Sequence, residues 1–227
     1  MRSQDMDRRA RAVEKVWDKE MLESYDKHMG KVEGKEQPET LHYVAQEKMF
    51  HALKEKFGRN VVSIGSGPGN LDGVLLDNDR LVTMVDVSKI AVLKAYEKFN
   101  KYDGATFSHQ DALTMRFPGE IFDTILFCNA FYYFEADERD ALIQNCKNLL
   151  NTGGKVIVIE EFPFKITMEK KEADAVLGVH YNDISPDKIA AIFSQNGFVL
   201  ETREKIVIDK TPEHDLYGSV FELAGAY

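Results

Sequence analysis

The sequence predicts an α/β fold: a seven-stranded, mostly parallel sheet with an antiparallel last strand and helices on both faces. Three observations support it. The apolar run Val61–Ile64 is typical of a buried parallel strand and leads directly into a glycine-rich turn. Strand-like and helical segments alternate after Gly58, which is the pattern of a parallel sheet. The last two strand-like runs are joined by about ten polar residues without a helical pattern, a connection that suits an antiparallel pair.

Residues 1–57 predict a helical segment ahead of an α/β domain of residues 58–227. Apolar residues near helical spacing predict one helix within residues 10–22 and a second from about Glu39, just after Pro38, to Phe57. The predicted strands are Asn60–Ile64, Leu81–Val87, Ala105–His109, Phe122–Asn129, Lys155–Glu160, Phe198–Ile208 and Ser219–Ala224. The predicted helices between them are Ser88–Phe99, Glu138–Leu150 and Ser185–Asn196.

The bulk composition excludes several classes of protein. A net charge of −9 argues against a nucleic-acid partner, since phosphate binding relies on clustered lysine and arginine. No apolar run approaches the roughly 20 residues of a membrane span, and the charged N-terminus does not resemble a secretory signal, so we expect a soluble, cytoplasmic protein. Cys128 and Cys146 form no Cys-x-x-Cys pattern, and Cys128 is expected to pack as a small hydrophobe. The sequence leaves open a monomer or a homodimer.

The glycine-rich turn Gly65-Ser66-Gly67-Pro68-Gly69 predicts a nucleoside site. A strand, a glycine turn and a helix start in succession allow the backbone to approach a bound nucleotide closely. The spacing is Gly-x-Gly-x-Gly, and the third glycine of the dinucleotide fingerprint would fall at Asn70. The turn is therefore a poor match to a site for a pyrophosphate.

Acidic residues follow the next two strands. Asp86 ends the second strand, 21 residues after Gly65 (86 − 65), where a carboxylate can accept hydrogen bonds from two ribose hydroxyls. Its alternative role is to cap the helix that begins at Ser88. Asp111, after the third strand, can accept a hydrogen bond from an exocyclic amine such as that of adenine, or can be an ordinary turn residue.

The fourth strand ends at Asn129 and is followed by the aromatic run Phe131-Tyr132-Tyr133-Phe134. Ligands of open α/β sheets bind outside the carboxyl ends of the strands, so Asn129 is expected near a cofactor and the tyrosines near a substrate. The alternative for Tyr132 and Tyr133 is that they cap the core.

In this order the motifs resemble those of the class I S-adenosylmethionine-dependent methyltransferases, over roughly Asn60 to Ala226. The resemblance implies a Rossmann-like methyltransferase fold, S-adenosyl-L-methionine as cofactor and S-adenosyl-L-homocysteine as product. It places Gly65, Ser66, Gly67 and Gly69 in the cofactor loop, Asp86 on the ribose, Val87 against the adenine, Asp111 and Ala112 at the adenine amine, and Asn129 in the fourth motif. Metal-dependent catechol-type members carry an acidic residue where Asn129 stands, so no metal is expected.

Several residues whose positions lie near the carboxyl edge of the predicted sheet are candidates for catalysis and substrate binding. His180, Tyr181 and Glu160 are candidate catalytic residues, although a surface histidine and a solvated charge at a strand end are equally ordinary interpretations. N-terminal helices often close over the site in this family, so the resemblance implies that residues 1–57 form a helical cap over the active site. Tyr25 is then a candidate for cofactor contact. A lid is predicted near residues 162–184. The candidate substrate residues are Tyr132, Tyr133, His28, His42 and Phe162.

The predicted activity is methyl transfer to an O or N atom of a small molecule, as in natural-product or specialised metabolism. Two alternatives stay open from the sequence. One is a methyltransferase that acts on a peptide or protein side chain, and the other is a non-catalytic cofactor-binding member of the fold.

Overall fold

The structure, a computed structural model, describes residues 38–163, 184–210 and 213–224, together with residues 12 and 15. Within these ranges, the side chains of residues 38–43, 209, 210, 213 and 214 are not described. The first predicted helix lies largely outside these ranges, and so does nearly all of the predicted lid.

The described residues form one seven-stranded sheet in the order β3-β2-β1-β4-β5-β7-β6. Strands β1 to β5 pair in parallel, and β7 pairs antiparallel with both β5 and β6. The predicted mostly parallel sheet with an antiparallel last strand is confirmed. The strands are β1 Asn60–Ile64, β2 Leu81–Asp86, β3 Ala105–His109, β4 Phe122–Cys128, β5 Leu150–Phe162, β6 Phe198–Lys210 and β7 Glu213–Leu223.

Three strands are longer than predicted. Strand β5 begins at Leu150, which pairs with Phe122 of β4, and it includes Gly153 and Gly154. The two glycines lie where the register with β4 shifts, between Leu150 and Lys155. Strand β6 ends at Lys210 and strand β7 begins at Glu213. Most of the residues predicted as a polar connection are therefore paired strand residues. Polar side chains do not prevent pairing on an edge strand such as β6, because its outward positions face solvent.

Five helices and two short 3₁₀ turns complete the described fold. The helices are α1 Pro38–Ala52, α2 Asp72–Leu76, α3 Lys89–Phe99, α4 Ala136–Leu149 and α5 Pro186–Gln195; the 3₁₀ turns are Lys54–Lys56 and Phe131–Tyr133. Ser185 caps α5 as predicted, since its hydroxyl accepts a hydrogen bond from the Lys188 N–H. Helix α1 ends five residues before Phe57, because the 3₁₀ turn takes over the chain there.

Apolar side chains form a core on each face of the sheet, which confirms that helices cover both faces. On one face α4 and α5 bury residues such as Leu142 and Phe193 against Phe127 of β4. On the other face α1, α2 and α3 cover β1, β4 and β5, with Met49 and Phe50 of α1 fully buried. Burial of side chains of this size stabilises the fold by roughly 1.5–3 kcal/mol each. No helix in the described ranges is both long and apolar enough to cross a membrane.

Candidate functional site

A cavity of about 200 Å³ lies at the carboxyl ends of β1, β2 and β4. Parallel strands bring the chain segments that follow them to one edge of the sheet, which is why residues far apart in sequence meet here. The cavity brings together ten of the predicted site residues, namely Gly65, Ser66, Gly67, Asp86, Val87, Asp111, Ala112, Asn129, Tyr132 and Tyr133.

The three glycines of the loop after β1 have different structural roles. Gly65, Gly67 and Gly69 all have positive φ, of 67°, 56° and 72°. A Cβ on Gly67 would meet nothing within 4 Å, so this glycine leaves its backbone open to the cavity. A Cβ on Gly69 would lie 2.9 Å from the Met84 sulfur, and Gly69 does not line the cavity. The predicted cofactor glycine Gly69 is thus a packing position.

Asp86 holds the loop with both carboxylate oxygens. Its Oδ2 accepts a hydrogen bond of 2.9 Å from the Gly67 N–H, and its Oδ1 accepts one of 2.7 Å from the Ser88 N–H. The hydroxyl of Ser88, not Asp86, caps α3 by accepting from the Ala91 N–H. Burial raises the pKa of Asp86, against the opposing effect of these hydrogen bonds. Each carboxylate oxygen accepts more than one hydrogen bond, so a fixed Asp86 can still accept from a ribose hydroxyl.

The segment after β3 forms the wall near Asp111. Asp111 Oδ1 accepts a hydrogen bond of 2.9 Å from the Leu113 N–H, so Asp111 has the turn role that was its alternative and also lines the cavity. Asn145 of α4 donates to the Ala112 carbonyl at 2.9 Å. Both bonds fix the position of this wall.

Asn129 stands at a sharp change of direction after β4. Its φ is 50°, in the left-handed region, and its N–H donates to the Ile159 carbonyl at 2.8 Å. Its amide nitrogen lies 3.4 Å from Glu161 Oε1, whereas its own Oδ1 is buried with no hydrogen-bond partner in the described structure. A conformation that costs free energy and an unsatisfied oxygen at the same residue are typical of functional sites.

Tyr132 and Tyr133 form an aromatic wall, with ring centroids 4.6 Å apart. Burial raises the pKa of Tyr132 well above its usual value, and the charges of nearby glutamates add to this effect. The Tyr132 phenol therefore keeps its proton at neutral pH, which makes it a hydrogen-bond donor and not a base.

Glu160 and Phe162 are not among the residues that line the cavity. Side chains alternate along β5, so Glu160 shares a face with Val158, against α4 and α5. Its Oε1 accepts hydrogen bonds from the Ala130 N–H at 3.0 Å and the Phe131 N–H at 2.6 Å, and burial raises its pKa well above the usual value. Glu160 thus stabilises the turn after β4 through the backbone of Ala130 and Phe131, on the α4 and α5 face of the sheet. Phe162 ends β5, opposite Asp215 of β7.

The remaining predicted site residues fall outside the described residues. Tyr25, His28, His180 and Tyr181 lie in segments that the structure does not describe, and His42 lies in α1 at a position whose side chain is not described. Their roles stay predictions.

Several residues that line the cavity were not predicted. Gln46, Ser63, Asp72 and Cys128, with apolar neighbours that include Phe50, enclose the end of the cavity next to α1, which we call the α1-side compartment. Cys128 is half-buried and packs against the apolar core on the α1 face, as expected of a small hydrophobe, and it also lines the cavity. Asp72 could have been found from the sequence, because it is an acidic residue on the apolar face of α2, beside Leu71 and Leu75, which are also buried.

Asp72 is the carboxylic acid among the residues that define this compartment. It is 4% exposed, it receives a hydrogen bond from the Ser63 side chain, and its Oδ1 has no partner. Burial raises its pKa to about 6. Burial also raises the pKa of the Cys128 thiol well above its usual value, and the charges of Glu160, Asp72 and Glu161 add to the effect. Across the described ranges, no three His, Cys, Asp or Glu side chains are grouped so as to hold a metal ion.

Comparison with known proteins agrees with this geometry. Residues 61–154 match the family model of a methyltransferase domain. An uncharacterised methyltransferase from Geobacillus thermodenitrificans (strain NG80-2) is 28% identical over 188 residues, 78% of this chain and 84% of that protein. A second one, from Bacillus mycoides (strain KBAB4), is 33% identical over 156 residues, 64% of this chain and 72% of that protein. The chain belongs to the class I S-adenosylmethionine-dependent methyltransferases.

The fold of this methyltransferase also matches solved structures. The crystal structure of magnesium protoporphyrin IX methyltransferase from Synechocystis PCC 6803 with bound S-adenosylhomocysteine has a TM-score of 0.70, with 17% sequence identity, and the match covers 93% of this chain and 99% of that chain. The cofactor of this methyltransferase is S-adenosylmethionine. Its described residues fit such a cofactor, because the cavity combines the open backbone at Gly67 with a fixed carboxylate at Asp86.

Proposed function

We propose that this methyltransferase transfers a methyl group to an O or N atom of a small molecule, without a metal ion. The observation that carries the proposal is the aromatic wall of Tyr132 and Tyr133, which shares one small cavity with the glycine loop and Asp86. An acceptor that stacks on this wall would lie beside the cofactor. Such a position is what methyl transfer requires, since orientation alone supplies roughly 7–11 kcal/mol of the barrier reduction.

We propose the following positions for the cofactor. Gly65, Ser66 and Gly67 hold its methionine part against the backbone, Asp86 accepts hydrogen bonds from the ribose, and Val87, Asp111 and Ala112 surround the adenine. When bound, the cofactor supplies an electrophilic methyl group on a positively charged sulfur. The protein then has to orient the acceptor, exclude water and remove a proton where the acceptor carries one.

The described residues of the cavity offer few groups for proton removal. Tyr132 and Cys128 both keep their protons at neutral pH, because burial raises both pKa values well above the usual range. Glu160 does not reach the cavity. We therefore keep His180 and Tyr181 as the proposed catalytic pair, with Tyr25, His28 and His42 as proposed contacts from the N-terminal helices.

The test is an assay of S-adenosylhomocysteine formation by mass spectrometry, with panels of small amines, phenols and carboxylates beside a panel of peptides. The expected result is turnover of one small-molecule class, unchanged by EDTA. An Asp86→Ala variant is the inactive control, and Asp79→Asn, at an exposed position after α2, is the active one. Turnover of peptides alone would indicate a protein methyltransferase, and loss of turnover in EDTA would contradict the metal-free mechanism. Cofactor binding without any turnover would favour a non-catalytic member of the fold.

A further inference from the structure

A second cavity, of about 100 Å³, lies on the α1 face of the sheet, between the end of α1 and the end of α2. Its described lining comes from the last turn of α1 and the 3₁₀ turn that follows, from α2 and the residues just after it, and from Arg80, which leads into β2. None of these residues belongs to the glycine-rich loop or follows the carboxyl end of a strand. We call this second cavity the α1–α2 cavity.

The polar lining of the α1–α2 cavity is mainly cationic. Lys54 and Arg80 carry positive charges, and His51 lies beside them on the wall. Glu55 is the one carboxylate among the described lining residues. It is a weak partner for Lys54, because the two charged groups lie 3.8 Å apart and their side chains are 82% and 60% exposed. Positive charge is therefore in excess here, in a chain whose net charge is −9.

Arg80 is a half-buried arginine that makes no ion pair with any described residue. The one hydrogen bond of its side chain in the described structure runs from Nη2 to the Lys54 carbonyl, at 3.4 Å. Arg203, which is also half-buried, pairs with Asp187 at 2.7 Å. The bond to Lys54 holds the Arg80 guanidinium against the 3₁₀ turn and leaves its other N–H donors available to a ligand.

A phosphate group has the matching chemistry. A guanidinium presents parallel N–H donors that fit two phosphate oxygens, and an ammonium adds a point charge beside them. A phosphate monoester carries a charge of about −1.5 to −2 at neutral pH, which balances Lys54 and Arg80. The cavity has about half the volume of the cofactor cavity, so it suits a single phosphate group and not a nucleotide.

Phe50 connects the α1–α2 cavity to the cofactor cavity, since it lines both and is 1% exposed. Helix α2 also borders both, with Asp72 at the cofactor cavity and Val74 at the second one. A phosphate held between Lys54 and Arg80 would fix the end of α1 against the end of α2. Binding of the cofactor would then cost less entropy, because part of the wall of its cavity is already ordered.

We propose that the α1–α2 cavity binds a phosphate group between Lys54 and Arg80, and that this binding strengthens binding of the cofactor. By linkage, the cofactor strengthens phosphate binding by the same factor. The proposal does not depend on the identity of the methyl acceptor.

NMR of the ¹⁵N-labelled full-length protein tests the site. The protein is saturated with S-adenosylhomocysteine, so that the cofactor cavity is filled, and inorganic phosphate is titrated at pH 8 against chloride at constant ionic strength. In the wild type we expect saturable shifts of the Lys54 and Arg80 backbone amides. Lys54→Gln and Arg80→Gln should each weaken this binding at least about tenfold. Lys188→Gln removes a charge from an exposed position on α5, across the sheet, and should bind phosphate as the wild type does.

The same titration with phenyl phosphate distinguishes two sources of the phosphate group. Tighter binding of phenyl phosphate than of inorganic phosphate would identify an organic phosphate monoester as the ligand. Equal or weaker binding would identify the free ion.

Calorimetry of S-adenosylhomocysteine binding tests the coupling. Saturating phosphate should raise the affinity of the wild type about fivefold and leave that of Lys54→Gln unchanged. Circular dichroism verifies that the variants are folded, and Lys54→Gln changes a side chain that is 60% exposed.

Absence of saturable shifts in the wild type would overturn the site, as would phosphate affinity that stays at the wild-type value in both Lys54→Gln and Arg80→Gln. Saturable phosphate binding with no change in S-adenosylhomocysteine affinity would overturn the coupling.

Discussion

Replacing Asp72 with asparagine should stabilise the protein in the absence of ligands. Asp72 is 4% exposed, and burial raises its pKa from 3.8 to about 6. At 1.36 kcal/mol for each pKa unit, this difference corresponds to about 3 kcal/mol by which folding disfavours the charged carboxylate at neutral pH. Asparagine has nearly the same shape, keeps an oxygen for the Ser63 hydroxyl and carries no charge. Asp72→Asn should therefore raise the free energy of unfolding by up to about 3 kcal/mol at pH 8.

The gain should depend on pH. The native state holds the Asp72 proton up to about pH 6, whereas the unfolded chain releases it near pH 3.8, so the native state binds more protons between these values. The contribution of Asp72 to the wild-type free energy of unfolding thus falls as the pH rises from about 4 to 6, and is constant above that. At pH 4 the group is neutral in the native state and only partly ionised in the unfolded chain, so the advantage of the variant should shrink to less than about 1 kcal/mol. The raised pKa of Asp86 acts in the same direction in both proteins and cancels in the difference.

Urea unfolding of the ligand-free proteins at pH 4 and pH 8, followed by circular dichroism, measures this difference. Asp79→Asn is the matched control, because it makes the same charge change at an exposed position and should stay within about 0.5 kcal/mol of the wild type. A variant less stable than the wild type at pH 8 would refute the reasoning, as would a gain that is equal at both pH values.

Three further predictions concern the glycine loop and its supports. Asp86→Ala should weaken S-adenosylhomocysteine binding at least about tenfold by calorimetry, because the change also frees the Gly67 N–H; unchanged affinity would remove Asp86 from the site. Gly67→Ala should block binding of S-adenosylhomocysteine and should lower the free energy of unfolding by about 1–2 kcal/mol because of its positive φ. Gly69→Ala should lower the free energy of unfolding by more, because its Cβ also meets neighbouring side chains. The reverse ranking of the two variants in urea unfolding would contradict these roles. Glu160→Ala should lower the free energy of unfolding by roughly 2–4 kcal/mol, because it leaves two buried N–H groups without an acceptor. Glu160→Gln keeps an acceptor oxygen and should lower it by less than about 1 kcal/mol. Equal losses for the two variants in urea unfolding would show that these hydrogen bonds do not stabilise the fold.

The parts of the fold that the sequence predicted well are those with strong local signals. Strands β1 and β3 have the predicted bounds, and the serine caps of α3 and α5 begin those helices within a residue of the predicted start. The start of β5 was missed because Gly153 and Gly154 are typical of turns, and here they lie in an irregular stretch of the strand between the pairings of Leu150 and Lys155 with β4. The β6–β7 pair was predicted too short, since a polar edge strand has no apolar pattern to mark its length.

In the site, too, residues with a local sequence signal were predicted, and residues placed by tertiary packing were not. Gly67, Asp86 and Asp111 were predicted from their positions after strands, which the sequence order alone supplies. Gln46 was missed because it reaches the cavity only through the packing of α1 across the sheet, a contact with no local spacing to indicate it. Glu160 was misplaced for another reason: it and Glu161 both end β5, and only the strand's alternation decides which of the two faces α4 and α5.

The position of β7 has a consequence for how the chain is made. This strand is the last of the seven in sequence, yet it lies inside the sheet and supplies the outer hydrogen-bonding partner of β5. Until residues 213–223 have left the ribosome, β5 presents an unpaired edge along Val156, Ile157 and Val158, which is a template for pairing between nascent chains. Fragments that stop short of residue 213 should accordingly aggregate during synthesis instead of accumulating as partly folded monomers.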